Sequence, residues 1–163
     1  MINNEGDVGR DNLASLQNPE FCDVKIVGSD GEIPANKVIL SLRSQYFRSM
    51  FSSNSNFVES QLGRVKLPHT KAVLEKLIVF LYSGNMDCQN LSLTQLLELL
   101  QLLDFMNLPR ELARVENFIL SKILGGKFIL TDCLESLECA AILCLETVQE
   151  ALLVHLGQNF SLF

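Results

Sequence analysis

The 163-residue sequence is poor in the residues that build most catalytic and metal-binding sites. It has no tryptophan, four prolines and two histidines, His69 and His155, which lie far apart in the chain. Neither histidine has a cysteine or a carboxylate at the spacing of a zinc site. The segment Gly125-Gly126-Lys127 lacks the upstream glycine and the following Ser or Thr of a phosphate-binding loop. We therefore expect no enzyme activity and no cofactor, and a function carried by surfaces.

Clustered cations and long apolar runs are also absent. The 13 lysines and arginines are scattered and face 19 acidic residues, so the formal net charge is −6. A nucleic-acid partner is excluded by this pattern, because neutralising phosphates requires grouped cations. The longest leucine-rich stretch, 91–108, is repeatedly interrupted by polar residues and predicts no membrane span. The first twenty residues contain no apolar run, so we expect no signal peptide.

The five cysteines form no C-x-x-C pair, and their number is odd. Without a secretory signal, such cysteines are typical of reduced thiols. We therefore expect a cytoplasmic and/or nuclear protein with free thiols at Cys22, Cys88, Cys133, Cys139 and Cys144.

What the sequence does contain is the pattern of a folded, mainly helical protein. Hydrophobic residues make up 48% and charged residues 20% of the chain, which is the composition of a globular domain. Residues 1–10 are expected to form a flexible lead. A strand over 23–27, a turn and a short returning strand at Glu32-Ile33 predict a hairpin. Residues 35–51 carry apolar side chains at helical spacing, and 64–67 fits one more strand.

The rest of the chain is predicted to be helical. The helix from Ser92 has leucines on most of its circumference, so we expect it to be central. A helix ending at Ser83-Gly84 precedes it, and the pair Gly125-Gly126 ends a later one. The predicted helices begin near Thr70, Ser92, Pro109, Thr131 and Thr147.

Several separated motifs follow one another in the order found in one known family. They are Phe21-Cys22-Asp23-Val24, Ala35-Asn36-Lys37-x-x-Leu40, Ser44-x-Tyr46-Phe47-x-x-Met50-Phe51, Val65-x-Leu67 and Phe80-Leu81-Tyr82-Ser83-Gly84. Together they resemble the signature of the BTB (POZ) family from Leu13 to Leu124. One residue departs from it: the family usually has histidine where this chain has Asn36.

The resemblance implies an α+β, mostly helical fold. A BTB/POZ domain over 11–124 would hold a small three-stranded sheet capped by helical hairpins. Residues 125–163 are similar to the helical pair called the 3-box, or the start of a BACK domain, that follows the domain in many members.

The resemblance also implies a partner, because many BTB domains recruit the cullin-3 ubiquitin-ligase scaffold. Cullin-binding members carry a motif of a large apolar residue, any residue and glutamate after the third helix, and Phe57-Val58-Glu59 fits it. A phenylalanine among serines and asparagines has no obvious partner within the chain. As an exposed anchor it would be worth about 2 kcal/mol or more. The alternative is that Phe57 folds back onto its own domain.

BTB domains are commonly homodimers, and the family's dimer interface corresponds here to the short helix with Leu13 and Leu16 and to Phe21. Such a short helix is not stable alone, so its apolar side must be buried on something. Asp23 and Lys37 match a charged pair near that interface. An ordinary ion pair within one chain is the alternative interpretation.

The leading hypothesis is therefore a non-catalytic adaptor that dimerises and bridges the cullin-3 N-terminal domain to a protein substrate. The substrate would be captured by a domain absent from this sequence, which we expect to be a piece of a longer protein. The alternative is a BTB dimer platform for transcriptional corepressor peptides. A channel tetramerisation domain ranks lower because that version of the fold lacks the 3-box.

Overall fold

The computed structural model describes residues 5–52, 62–126, 130–142 and 145–160. Within these ranges lie eight α-helices, one 3₁₀ turn at Pro19–Phe21 and one three-stranded sheet, so the mostly helical α+β class is confirmed. The chain divides into two compact units, residues 1–87 and 88–163. The elements are α1 Glu5–Leu16, β1 Val24–Val27, β2 Glu32–Ala35, α2 Lys37–Arg43, α3 Gln45–Phe51, β3 Arg64–Lys66, α4 Lys71–Ser83, α5 Leu93–Phe105, α6 Pro109–Leu124, α7 Leu130–Ile142 and α8 Glu146–Phe160.

The sheet of the first unit has the order β2-β1-β3, with β1 antiparallel to β2 and parallel to β3. Side chains alternate as the strand period requires, so apolar residues face the core and polar residues face outward. Lys25 lies opposite both Pro34 and Arg64, which places these three outward residues in one row across the strands. Pro34 lacks an amide hydrogen, and β3 has only three residues, which makes both outer strands poor templates for further pairing.

The helical stretch expected over 35–51 is two helices, because the chain is extended at Ser44 (φ −133°, ψ 127°). The end of α2 is completed by Arg48, whose Nε donates to the carbonyl of Ser41 at 3.0 Å and whose Nη2 donates to the carbonyl of Leu42 at 3.3 Å. These bonds occupy carbonyls that a continued helix would have used. The break is therefore supported by a side chain of the second helix.

Helix α1 is longer than the short helix expected around Leu13 and Leu16, because it begins at Glu5, within the lead expected to be flexible. Tertiary contact with the end of α4 explains the longer helix. Gly9 approaches the backbone of Ser83 so closely that a Cβ would lie 3.1 Å from its carbonyl oxygen. One turn later, Nδ2 of Asn12 donates to the carbonyl of Tyr82 at 3.2 Å.

In the second unit, α5 is capped at Ser92 by a reciprocal pair of hydrogen bonds with Gln95. Both α6 and α7 pack against this leucine-rich helix, and α8 packs against α6 and α7. Helix α8 begins at Glu146, one residue before the start predicted near Thr147, so Thr147 lies inside the helix and does not cap it. The hydroxyl of Thr147 instead donates to the carboxylate of Glu116 on α6. The helical pair expected after residue 125 thus packs on α5 and α6.

Gly28→Ala is expected to destabilise the first unit. The β1–β2 turn packs so closely on the start of α4 that a Cβ at Gly28 would lie 2.6 Å from the carbonyl oxygen of His69 and 2.9 Å from Cδ1 of Leu74. The expected loss is about 1–3 kcal/mol in the free energy of unfolding, measured by urea denaturation. Gly31→Ala is the matched control, since its Cβ would meet only the flexible end of Lys71. Equal losses in the two variants would contradict this account of the turn.

Candidate protein-interaction site

Tyr82, near the end of α4, is bonded to α1 through its carbonyl and to the start of α2 through its hydroxyl. Its side chain is buried, and its hydroxyl accepts a hydrogen bond from the backbone N–H of Asn36 at 2.7 Å. Burial raises the pKa of Tyr82, and the bond from Asn36 opposes that rise. The neutral phenol therefore serves as a fixed acceptor beside the first turn of α2.

Asn36 uses both ends of its amide at the same place. Its Oδ1 accepts from the N–H groups of Val38 at 2.9 Å and Ile39 at 3.2 Å, which makes it the N-cap of α2. Its Nδ2 donates to the carbonyl of Phe21 at 2.7 Å. One side chain therefore fixes the start of α2 and attaches the Pro19–Phe21 turn to it.

The structure brings Asp23 and Lys37 together at the start of α2. Oδ1 of Asp23 accepts from the backbone N–H of Lys37 at 2.8 Å, so the carboxylate satisfies one of the orphan donors at the start of α2. The ammonium of Lys37 lies 5.6 Å from the centre of the Phe51 ring. The predicted role of this pair in a dimer interface stays a prediction.

We call the hydrogen-bonded group of Tyr82, Asn36 and Asp23 the junction. Beside it, three large apolar side chains face solvent: Phe21 is 55%, Val38 62% and Leu42 68% exposed. We call these three residues the α2 face. Val38 and Leu42 are four residues apart and share one side of α2, whereas Leu40 is fully buried. Helical spacing marked Val38 and Leu42 as apolar positions without showing that they are exposed. The signal that could have found them is their spacing of four, out of phase with Leu40.

The dimer-interface roles predicted for Leu13, Leu16 and Phe21 also stay predictions. Leu13 and Leu16 lie in α1 and are half-buried within the single chain. Phe57, Val58 and Glu59 lie outside the described residues, so their role as a cullin-binding motif stays a prediction.

Four cysteines are free thiols in the structure, namely Cys22, Cys88, Cys133 and Cys139, and Cys144 lies outside the described residues. Burial raises the pKa of Cys22 and of Cys133, and the neighbouring carboxylates of Asp23 and Asp132 raise them further. In the part of the chain that the structure describes, no three His, Cys, Asp or Glu side chains group as metal ligands would. None of the described helices has the length and apolar character needed to cross a bilayer.

A solvent-facing apolar patch held by a polar junction is the feature of a protein-interaction module. Comparison with protein families identifies which one: the profile of the BTB/POZ domain matches residues 13–123, and the chain belongs to this family. The BTB/POZ domain is a non-catalytic protein-interaction module.

The sequence relatives include kelch-type proteins. The chain is 37% identical to mouse Kelch-like protein 30 over 79 residues, which cover 48% of this chain and 13% of that protein. It is 33% identical over 104 residues to Kelch repeat and BTB domain-containing protein 1 of vaccinia virus (strain Copenhagen), covering 63% of this chain and 18% of that protein. It thus spans less than a fifth of the length of either relative.

Solved structures share the fold. The BTB domain of human gigaxonin superposes with a TM-score of 0.56 at 19% identity, over 72% of this chain and 92% of that one. The BTB domain of zebrafish PATZ1 gives a TM-score of 0.58 at 18% identity, over 73% and 94%. These likenesses confirm the BTB fold expected from the sequence.

Asn36→Ala is expected to lower the free energy of unfolding by about 2 kcal/mol. It removes the N-cap of α2, worth about 1 kcal/mol, and the bond to the carbonyl of Phe21, worth about 1 kcal/mol. Asn36→Asp keeps the capping oxygen and loses the donor to Phe21, so about half of that loss is expected. Urea denaturation followed by circular dichroism measures both.

Asn117→Ala is the matched control, since the amide of this exposed residue bonds only the carbonyl of Ala113 on its own helix. A change within about 0.5 kcal/mol is expected there. If Asn36→Ala costs no more than Asn117→Ala, the amide of Asn36 does not organise the junction.

Proposed function

We propose that this protein is a homodimeric adaptor that recruits cullin-3 and presents a protein substrate to the ubiquitin-ligase complex. The observation that carries the proposal is the exposed α2 face on a BTB domain. A single chain gains nothing from keeping Phe21, Val38 and Leu42 in water, whereas a second copy would bury them.

The proposed dimerisation is supported by the fixed positions of the three residues of the α2 face. Phe21, Val38 and Leu42 lie on elements that Asn36 ties together, so the apolar groups are positioned before any partner arrives. Preorganisation of this kind lowers the entropy cost of association. The half-buried Leu13 and Leu16 of α1 would extend the surface that the second copy covers.

The proposed binding of cullin-3 is supported by a sequence motif and by the similarity of the chain to kelch-type proteins. Phe57-Val58-Glu59 falls in the connection between α3, which ends at Phe51, and β3, which begins at Arg64. Cullin-binding family members carry their motif after the third helix. The helical pair α7–α8 follows the domain, as the 3-box does in such members.

The substrate step requires a further domain. Relatives such as vaccinia Kelch repeat and BTB domain-containing protein 1 are much longer than this chain, and their names include kelch repeats beside the BTB domain. By analogy, the substrate would be captured by a domain outside this sequence, in the cytoplasm and/or the nucleus.

The dimer is tested by Leu42→Asp. The wild-type protein is expected to sediment at the mass of two chains in analytical ultracentrifugation. A carboxylate on the α2 face should raise the dimer dissociation constant by tenfold or more, which is about 1.4 kcal/mol. The change should leave the circular dichroism spectrum unaltered, because Leu42 is already exposed.

Leu124→Asp provides the control, since Leu124 is equally exposed, at 71%, on α6 of the other unit. Its dissociation constant is expected to match that of the wild type. A monomeric wild-type protein, or equal weakening in both variants, would remove the α2 face from the dimer interface.

The cullin step is tested by calorimetric titration of the protein with the N-terminal domain of cullin-3. Phe57→Ala is expected to weaken binding by tenfold or more, about 1.4 kcal/mol, because an apolar anchor would be lost. Glu59→Ala is expected to weaken it as well, through lost hydrogen bonds. Asn54→Ala, a polar change in the same segment, should bind as the wild type does.

Absence of binding by folded wild-type protein would contradict the cullin step while leaving the dimer untouched. The alternative function, a dimer platform for corepressor peptides, would then be the one to pursue.

A further inference from the structure

A groove of about 470 Å³ opens at one end of the outer face of the sheet. Apart from Asp23, its lining residues belong neither to the proposed dimer contacts nor to the cullin motif. Its apolar walls come from Pro19, Pro34 and Leu62, and its cations are Lys25 and Arg64. Leu62 is 69% exposed, the second-highest exposure among the large apolar side chains described. A volume of this size lies within the range of natural ligand pockets.

The strands themselves set the shape of the groove. Pro34, Lys25 and Arg64 form the row across β2, β1 and β3, which spans about 10 Å at the usual strand spacing. Gly63, with φ +63°, turns the chain into β3, and its carbonyl accepts from the N–H of Lys25 at 2.9 Å. The floor of the groove is therefore formed by hydrogen-bonded strands, and the row across them is about as long as three residues of an extended peptide.

The charges of this face favour an acidic ligand. Arg64 donates to Glu32 at 2.8 Å, and Lys25 bonds the same carboxylate. The hydrogen bond from Lys25, followed by the charges of Arg64 and Lys25, lowers the pKa of Glu32. Both cations remain about half exposed, so they retain donors for a second carboxylate.

On the outward side of the three strands, cations outnumber carboxylates, although the chain carries a net charge of −6. Lys66 adds a third outward cation two residues beyond Arg64 on β3. Glu32 lies on the strands and is shared by two cations. Asp23 lines the groove and accepts from the N–H of Lys37, and Glu20 follows Pro19 in the preceding turn.

We propose that this groove binds an extended acidic peptide segment of a partner protein. Side chains alternate along an extended chain, so residues one, three and five of the segment point to the same side. An apolar residue at the third position would lie between Pro19, Pro34 and Leu62. Carboxylates at the first and fifth positions would then bond Lys25, Arg64 or Lys66.

The test uses a fluorescein-labelled peptide, Glu-Ser-Leu-Ser-Glu with blocked ends, and fluorescence anisotropy at low salt with the whole chain. Saturable binding is expected, with chemical-shift changes in NMR spectra confined to residues near 19–25 and 62–66. Replacing both glutamates of the peptide by glutamine should weaken binding by about tenfold. Moving the leucine to the second position should weaken binding as well, because the leucine would then point to the side of the peptide opposite the two glutamates.

Protein variants localise the site. Arg64→Glu and Lys66→Glu are each expected to weaken binding about fivefold or more, and Leu62→Ser should weaken it without changing the salt dependence. Arg114→Glu, the same charge change at an exposed arginine of α6, is the matched control and should bind normally. Circular dichroism verifies that each variant is folded.

The proposal is overturned if the wild-type protein does not saturate, if the glutamine peptide binds equally well, or if Arg114→Glu weakens binding as much as Arg64→Glu. It is also overturned if phosphatidylserine vesicles bind the same residues and the peptide does not displace them. These outcomes are independent of the cullin titration, because the proposal does not use Phe57, Val58 or Glu59.

Discussion

The first unit depends on the hydrogen bond between the hydroxyl of Tyr82 and the backbone N–H of Asn36. A hydroxyl in the core must have a partner, and the first N–H groups of a helix also need one. At 2.7 Å each group satisfies the other, which joins the end of α4 to the start of α2. The same end of α4 accepts from Asn12 of α1 and from Nε of Arg43 at the end of α2. The last turn of α4 therefore positions both α1 and α2, and the exposed Val38 and Leu42 are carried by α2.

Elements with local signals were predictable from the sequence. The hairpin after β1, the end of α4 at Gly84 and the start of α6 at Pro109 need only turn glycines or a proline, and each lies where expected. Elements decided by tertiary contact were not predictable. The break at Ser44 depends on Arg48, and the early start of α1 depends on the approach of Gly9 to Ser83. The spacing of Val38 and Leu42 places them on one side of α2, opposite the buried Leu40, but which side faces the core is decided by the packing of α2.

The one departure from the family motif now has a physical account. Neutral histidine offers one donor and one acceptor from its ring, and the amide of Asn36 likewise provides an acceptor for the α2 cap and a donor for Phe21. Asparagine thus supplies both kinds of bond without a titratable group. A histidine at this position would change charge near neutral pH. The junction beneath the α2 face should therefore hold its geometry across that range, which suits a constitutive assembly surface.

The Pro19–Phe21 turn belongs to two surfaces at once. Pro19 lines the sheet groove, whereas Phe21 lies on the α2 face, and Asp23 both lines the groove and caps α2. A peptide seated against Pro19 would bias the position of Phe21 through a three-residue turn. If the peptide changes the affinity of dimerisation by some factor, dimerisation must change the affinity for the peptide by the same factor, because coupling free energies are reciprocal. Asn36 ties this turn to α2 and Asp23 ties the residues that follow it to the same helix, so both contacts would transmit the coupling.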